Sequence, residues 1–179
     1  AATKAAGQAD DRILLVPRTP DGRYARVGVI AHIENRGKLP GGNAALVVRA
    51  IGRAEVGQGV MGETAALWVQ ATPVDDPEAS EYAHDKATEL RAALRALFEL
   101  VEGARLEELL RGADEPGALA DLAGWWPDLS FDNKVELLET LDVDQRVDLV
   151  LGWVKDALAE AELTERIRKD VTDGIDRNQ

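Results

Sequence analysis

The apolar residues of this 179-residue chain change their spacing once, at Pro73-Val74-Asp75-Asp76-Pro77. Before that point they recur at every second residue, in short runs between glycine-rich separators. After it they recur three and four residues apart. Alternation places one set of side chains on one face of a strand, and the three-four spacing places them on one face of a helix. A chain that switches only once is expected to be α+β, with a β-rich part over residues 1–77 and helices beyond.

The strand signals are specific. Arg12-Ile13-Leu14-Leu15-Val16-Pro17 is a short apolar run closed by charge and proline. Across residues 24–34, Val27, Val29, Ala31 and Ile33 share one face. Residues 44–50 hold Leu46-Val47-Val48, and residues 53–56 and 67–74 add two further runs. Pro20-Asp21-Gly22, residues 37–43, Gly57-Gln58-Gly59 and Gly62 separate them. Several short strands with glycine turns predict an antiparallel sheet or small barrel. Residues 1–9 read as the end of an alanine-rich helix.

After Pro77, Tyr82, Ala83, Ala87, Leu90, Leu94, Leu97 and Val101 form an amphipathic stripe of roughly seven turns, interrupted at Gly103. Residues 105–111 predict a short helix ended by Gly112. Asp114 as N-cap, with Pro116 in the first turn, predicts another over residues 117–123. Ser130 or Asp132 opens a helix through Leu138, and Asp142 or Asp144 opens the last. That last helix is apolar enough to pack as far as residue 160, so residues 78–160 are expected to form a helical bundle. Over residues 161–179 the stripe narrows to Leu163, Ile167, Val171 and Ile175 among charges, the pattern of a helix leaving the bundle or of a coiled-coil seam. The helix is expected to continue past Gln179.

Several functional classes are disfavoured by what the chain contains. It has no cysteine, so disulfides and thiolate metal sites are excluded. No apolar run approaches the roughly 20 residues that span a bilayer, and no signal-peptide centre opens the chain; no membrane association and a cytoplasmic location are expected. Up to Pro77 there are nine Lys/Arg and eight Asp/Glu, and from Glu78 onward twelve and twenty-five, so the net −12 resides in the second part. That part would repel phosphates, and no nucleic-acid partner is expected.

Gly37-Lys38 fails as a phosphate loop, because His32 stands where the first glycine would be and Leu39 follows the lysine. Ser80 and His84, four residues apart, could share a helix face as nucleophile and base, the one pattern compatible with a small serine hydrolase; nothing near them offers an oxyanion hole. His32 and His84 are the two imidazoles, without carboxylates spaced for a metal. The adjacent acids Asp10-Asp11, Asp75-Asp76 and Glu107-Glu108 point to opposite faces and suit solvent better than acid–base work. No catalytic residue and no metal site are therefore assigned. The features left are suited to contact: Leu39-Pro40 at a turn, Val60-Met61 beside glycine, and Trp125-Trp126, of which one indole is expected in the core and the other outside.

Six segments in order resemble one family. Arg12-Ile13-Leu14-Leu15-Val16-Pro17-Arg18, Arg26-Val27-Gly28-Val29-Ile30-Ala31-His32-Ile33, the turn Gly37-Lys38-Leu39-Pro40-Gly41-Gly42, and the strand pair from Val47 to Ala54 are similar to the β part of the Lon N-terminal domain. Asp114-Glu115-Pro116-Gly117-Ala118-Leu119-Ala120-Asp121-Leu122-Ala123 and residues 134–146, ending Leu141-Asp142-Val143-Asp144-Gln145-Arg146, resemble its helical part. Residues 165–171 are similar to the start of its long exit helix, and residues 65–70 resemble actinobacterial members.

The resemblance covers residues 12–179. It implies a β-rich PUA-like lobe followed by a helical bundle and a long exit helix. It further implies a non-catalytic region of an ATP-dependent serine protease that recognises misfolded and regulatory proteins and helps assemble the hexamer. ATP and Mg would belong to an ATPase module outside this chain, so no cofactor is expected here. Unfolded or degron-bearing proteins and other Lon subunits are the partners implied. Leu39, Pro40, Met61, Trp125 and Trp126 are the candidate substrate contacts; Leu163, Ile167, Val171 and Ile175 are the candidate subunit contacts. The family's opening strand has no counterpart before Ala1, which predicts a sheet with an open edge. A free-standing binding module of the same family, without protease, is the alternative reading.

Overall fold

The computed structural model describes residues 1–62, 64–100 and 104–176, the side chains of 104–106 and 173–176 excepted. It divides into two compact units, Ala1–Asp75 and Asp76–Gln179.

In the first unit, a short helix α1 (Ala2–Ala5) and a 3-10 turn (Ala6–Ala9) lead into an antiparallel sheet. Its strands are β1 (Arg12–Leu15), β2 (Val27–Lys38), β3 (Ala44–Val60) and β4 (Trp68–Val74), in the order β1-β2-β3-β4. Val27, Ala31 and Ile33 of β2 are buried with Ala54 of β3 and with Ala5 and Ala6 of the opening helical turns, so the core of this unit is thin and mostly alanine. Gly28 is required by close approach: a Cβ there would stand 2.9 Å from the Leu15 carbonyl oxygen and 3.0 Å from Val16 Cγ2. Asp10 and Asp11 adopt left-handed backbone, a conformation Asp tolerates, at the step from the 3-10 turn into β1. The Asp11 carboxylate takes an ion pair from Arg36, so this acidic pair is used locally.

Two of the predicted strands are one. Residues 44–50 and 53–56 are joined within β3, and the register shifts where Ile30–Gly52 gives way to Ala31–Ala50, leaving Ile51 as the extra residue of a bulge. Gly57-Gln58-Gly59 is a second irregularity inside the strand, not a turn. A glycine in a strand marks a bulge as readily as a chain reversal, and spacing alone does not separate them. The true reversal lies at residues 39–43, where Leu39 N–H donates to Asn43 O at 2.8 Å and Gly42 N–H to Leu39 O at 2.9 Å.

The second unit contains α2 (Glu81–Leu100), α3 (Ala104–Gly112), α4 (Pro116–Asp121) running into a 3-10 turn (Leu122–Trp125), α5 (Phe131–Glu139) and α6 (Val143–Asp176). Val101 and the expected break at Gly103 lie outside the described residues. Leu90, Leu94, Leu97 and Phe98 of α2 pack with Val147, Val150, Leu151 and Val154 of α6 and with Leu119 and Leu122. Polar contacts along the same seam hold α2 and α6 parallel. Ser80 Oγ meets the Asp144 carboxylate at 2.7 and 2.8 Å, Tyr82 Oη donates to Asp148 at 2.7 Å, and Lys155 pairs with Glu89 at 2.5 Å. Ser130 caps α5 by accepting from Asn133 N–H at 3.1 Å, and Asp142 caps α6 by accepting from Gln145 N–H at 2.9 Å. The residue before α4 is Glu115, not Asp114, and its side chain makes no cap. Arg91 donates to the carbonyls of Leu110 and Ala113, satisfying the end of α3.

Candidate protein-binding surface

One exposed apolar feature is a ribbon. β1 stops pairing with β2 at Arg12–His32, and β4 starts pairing with β3 at Arg53–Val74. Residues 34–52 therefore form a two-stranded arm in which, among the described residues, the main chains of β2 and β3 pair only with each other. Leu39 stands exposed at its tip beside Pro40, and Leu46, Val47, Val48 and Ile51 are exposed along it, Val47 at 57% and Ile51 at 53%. Arg49 and Glu34, both exposed, pair across it at 2.7 Å. Consecutive apolar residues supply both faces of the ribbon, and 44–48 contains no charge. The run Leu46-Val47-Val48 was the available signal: a strand buried on one face alternates, and this one does not.

A second apolar feature lies at the far end of β3. Met61 is fully exposed beside a hollow of about 350 Å³ lined by Gln8, Val60, Gly62 and Trp68. A Cβ on Gly62 would collide with the Trp68 indole, and the indole Nε1–H donates to Thr64 Oγ1 at 3.2 Å. The lining has an indole, a thioether and an amide but no charge, which suits an apolar side chain. Leu39-Pro40 and Met61 flank the two ends of β3. At about 3.3 Å per residue its 17 residues span at most roughly 56 Å when straight, and the two apolar features lie at opposite ends of it.

Of the two indoles, Trp125 is 64% exposed and Trp126 is 8% exposed. Trp126 belongs to the core of the helical unit with Leu122 and Leu129, which corrects its place among surface contacts. The chain leaves the 3-10 segment at Trp126, whose backbone is extended. On α6, Leu163, Ile167 and Val171 are all exposed by more than half; the side chain of Ile175 lies outside the described residues.

The residue patterns tested for chemistry have local tasks. Ser80 Oγ is engaged by Asp144 and accepts from Ala83 N–H at 3.1 Å as the cap of α2. Its link to His84 is the helical bond from His84 N–H to Ser80 O. No group of three or more potential metal ligands occurs among the described residues. His32 is half-buried on β2, with Arg12 and Arg49 opposite it on the adjacent strands.

A separate polar cluster surrounds the buried Arg146. Its guanidinium is fully buried and forks onto Asp76 at 2.9 and 2.8 Å, while Nε donates to Thr140 O at 2.8 Å and Nη2 to Leu141 O at 3.2 Å. Asp121 lies 3.6 Å away. Gly117 leaves room for this fork, since a Cβ there would come within 2.5 Å of Asp76 Oδ2. The cluster ties the start of α4 and the α5–α6 loop to Asp76. It is a structural device that joins three segments of the helical unit around one guanidinium.

A family model described as the ATP-dependent protease La (LON) substrate-binding domain matches residues 1–156. The chain belongs to the Lon substrate-binding domain family. It is 41% identical to a Lon protease of Mycolicibacterium smegmatis over 93% of its length, and 41% identical to one of Salinispora arenicola over 95%. It spans only about a fifth of those relatives, 21% and 22% respectively. Among solved structures, the N-terminal domain of a Mycobacterium avium complex Lon protease superposes with a TM-score of 0.78 at 37% identity, covering 87% of this chain and 84% of that one. A Lon N-terminal domain protein from Xanthomonas campestris, at 21% identity and a TM-score of 0.55, covers 84% of this chain and 80% of its own and shares the fold. No helix among the described residues is long and apolar enough to cross a membrane.

Proposed function

We propose that this chain is the part of a cytoplasmic Lon-type ATP-dependent protease that holds unfolded or degron-bearing polypeptides, and that it performs no chemistry itself. The observation that carries the reading is the apolar surface left exposed by the β unit, in a family described as substrate-binding. Such a surface takes extended apolar segments at several weak points, and several copies in one assembly multiply them into useful avidity. ATP, Mg and the serine protease centre belong to other modules of the whole protein. The stripe Leu163, Ile167 and Val171 on α6 supports contact with other subunits, since a narrow apolar seam flanked by charge packs against another helix.

The test is fluorescence anisotropy with labelled, reduced and carboxymethylated lactalbumin. Saturable binding without cleavage, and no ATP hydrolysis by the pure chain, is the expected result. Absence of binding, or turnover of ATP that copurifies with the chain through several columns, refutes the reading.

A further inference from the structure

We propose that Trp125 and Phe131, held outside by the turn between the 3-10 segment and α5, form a docking point on the helical unit for an extended apolar segment flanked by Lys or Arg. This rests on the substrate-holding reading above and names the class of segment that one surface takes.

The turn is fastened from within. Trp126 and Leu129 are buried in the core of the helical unit, Leu129 N–H donates to Trp126 O at 3.3 Å, and Ser130 Oγ accepts from Asn133 N–H at 3.1 Å to close the first turn of α5. Two buried side chains, a main-chain bond and a helix cap within so short a stretch leave the turn little freedom. The residues around those anchors stay outside. Trp125 is 64% exposed and Phe131 45%, and Gly124, Pro127 and Asp128 are exposed with them. A Cβ on Gly124 would meet nothing within 4 Å, so the main chain beside the indole is uncovered. The 3-10 segment and α5 adjoin one another in the fold.

Other exposed aromatic rings have tasks inside the molecule. Arg18 lies over the Tyr24 ring, and Tyr82 Oη donates to Asp148. Trp125 and Phe131 have no ring contact or side-chain hydrogen bond among the described residues. Neither contributes to the core, and large apolar groups left together in solvent mark contact surfaces. An indole and a phenyl on a fixed turn lose little conformational freedom when they bind, which is why such side chains dominate the affinity of interfaces.

Charge selects the occupant. Residues 124–139 hold Asp128, Asp132, Glu136 and Glu139 against Lys134, in a chain whose part from Glu78 onward has twenty-five acids and twelve bases. Asp128 and Asp132 are exposed and make no ion pair among the described residues, so their charge is not neutralised nearby. A segment with Lys or Arg beside its apolar centre is drawn by this field and meets those carboxylates on contact. A Glu-flanked segment is repelled. A second copy of the chain, with its own net −12, is repelled as well.

The probe is a fluorescein-labelled peptide with a Leu-Phe-Leu-Val centre and Lys at both ends, beside a Glu-flanked version and one with Ser throughout the centre. In about 50 mM salt the Lys-flanked peptide should bind about tenfold or more tighter than the Glu-flanked one, and the Ser version should not bind. Trp125→Ala and Phe131→Ala, both at exposed positions, should each weaken the Lys-flanked peptide about tenfold. Asp128→Asn should narrow the preference for Lys over Glu by about twofold. Tyr24→Ala, which removes an exposed aromatic ring of the β unit, should leave the affinity within about twofold. On the unmodified chain the Trp125 indole N–H resonance should shift when the peptide saturates, a readout that needs no variant to fold. Unchanged affinity in folded Trp125→Ala, an unmoved Trp125 indole, or equal binding of the Lys- and Glu-flanked peptides overturns the docking point while carboxymethylated lactalbumin still binds. Failure of the chain to bind lactalbumin at all sinks the broader reading and this one with it. A dimer dissolved by Trp125→Ala would put a second copy on the turn, and a Trp125 indole already shielded in a longer form of the protein would put its own chain there. Either result overturns the proposal.

Discussion

A buried arginine with every visible donor directed at oxygen is costly to disturb from either side. Arg146→Met removes the guanidinium from the Asp76 carboxylate and from two carbonyls and should lower the unfolding free energy of the helical unit by about 1–3 kcal/mol in urea titration, Asp76 itself being partly exposed. Gly117→Ala raises helix propensity by up to about 1 kcal/mol but drives a methyl into the Asp76 carboxylate. It should therefore destabilise, and its cost should shrink in the Arg146→Met background, because both changes break one fork. Glu89 is held below the usual carboxylate range by its hydrogen bonds from Lys155 and Lys86. Its contribution is present above the unfolded value near about 4.3 and is lost as pH falls through the depressed folded value. Glu89→Gln should flatten the acid limb of the Tm–pH curve. Tyr82 is raised by its hydrogen bond to Asp148, so its contribution is present below about 10 and lost as pH rises beyond it. At this scale the sequence was half legible. Ser130 and Asp142 cap helices as their position before an apolar stripe implies. The fate of Ser80 depended on Asp144, 64 residues away, which no local pattern predicts.

Elements were clearer than the joints between them. The helices begin and end close to their predicted positions because the three-four stripe is long and its caps are chemically distinctive. The strands were found, but β3 is a single bulged strand where two were expected, since a bulge and a turn share glycine as their mark. The last half of α6 buries little: beyond Glu160 every side chain described except Ala161 is exposed. Truncation after residue 162 should leave the urea midpoint of the helical unit within error, as exposed helix contributes little to a packed core. Changing Leu163, Ile167 and Val171 together to Glu should alter the association state in sedimentation without altering the circular dichroism per residue. Dissociation with an unchanged fold supports α6 as a subunit contact; association that survives the triple change removes it.

For the whole molecule, the uneven charge sets what can approach. The chain from Glu78 onward carries twenty-five acids against twelve bases, so gel retardation with duplex DNA should show no complex even in about 50 mM salt. The same asymmetry leaves neutral and acidic segments to the near-neutral β unit. The spacing of apolar residues was enough to determine an α+β chain with its change of class near Pro73–Pro77, because periodicity is a local consequence of backbone geometry. The absence of Cys and the ordered motifs were enough to narrow the chemistry and the family. Which apolar residues remain outside was decided only by packing. Trp125 and Trp126 are adjacent and chemically identical, yet one is in the core and the other in solvent. Leu46 to Val48 read as an interior strand, but neither β1 nor β4 extends alongside them. Exposure is set by where neighbouring elements stop, and that is a property of long-range register rather than of any single segment.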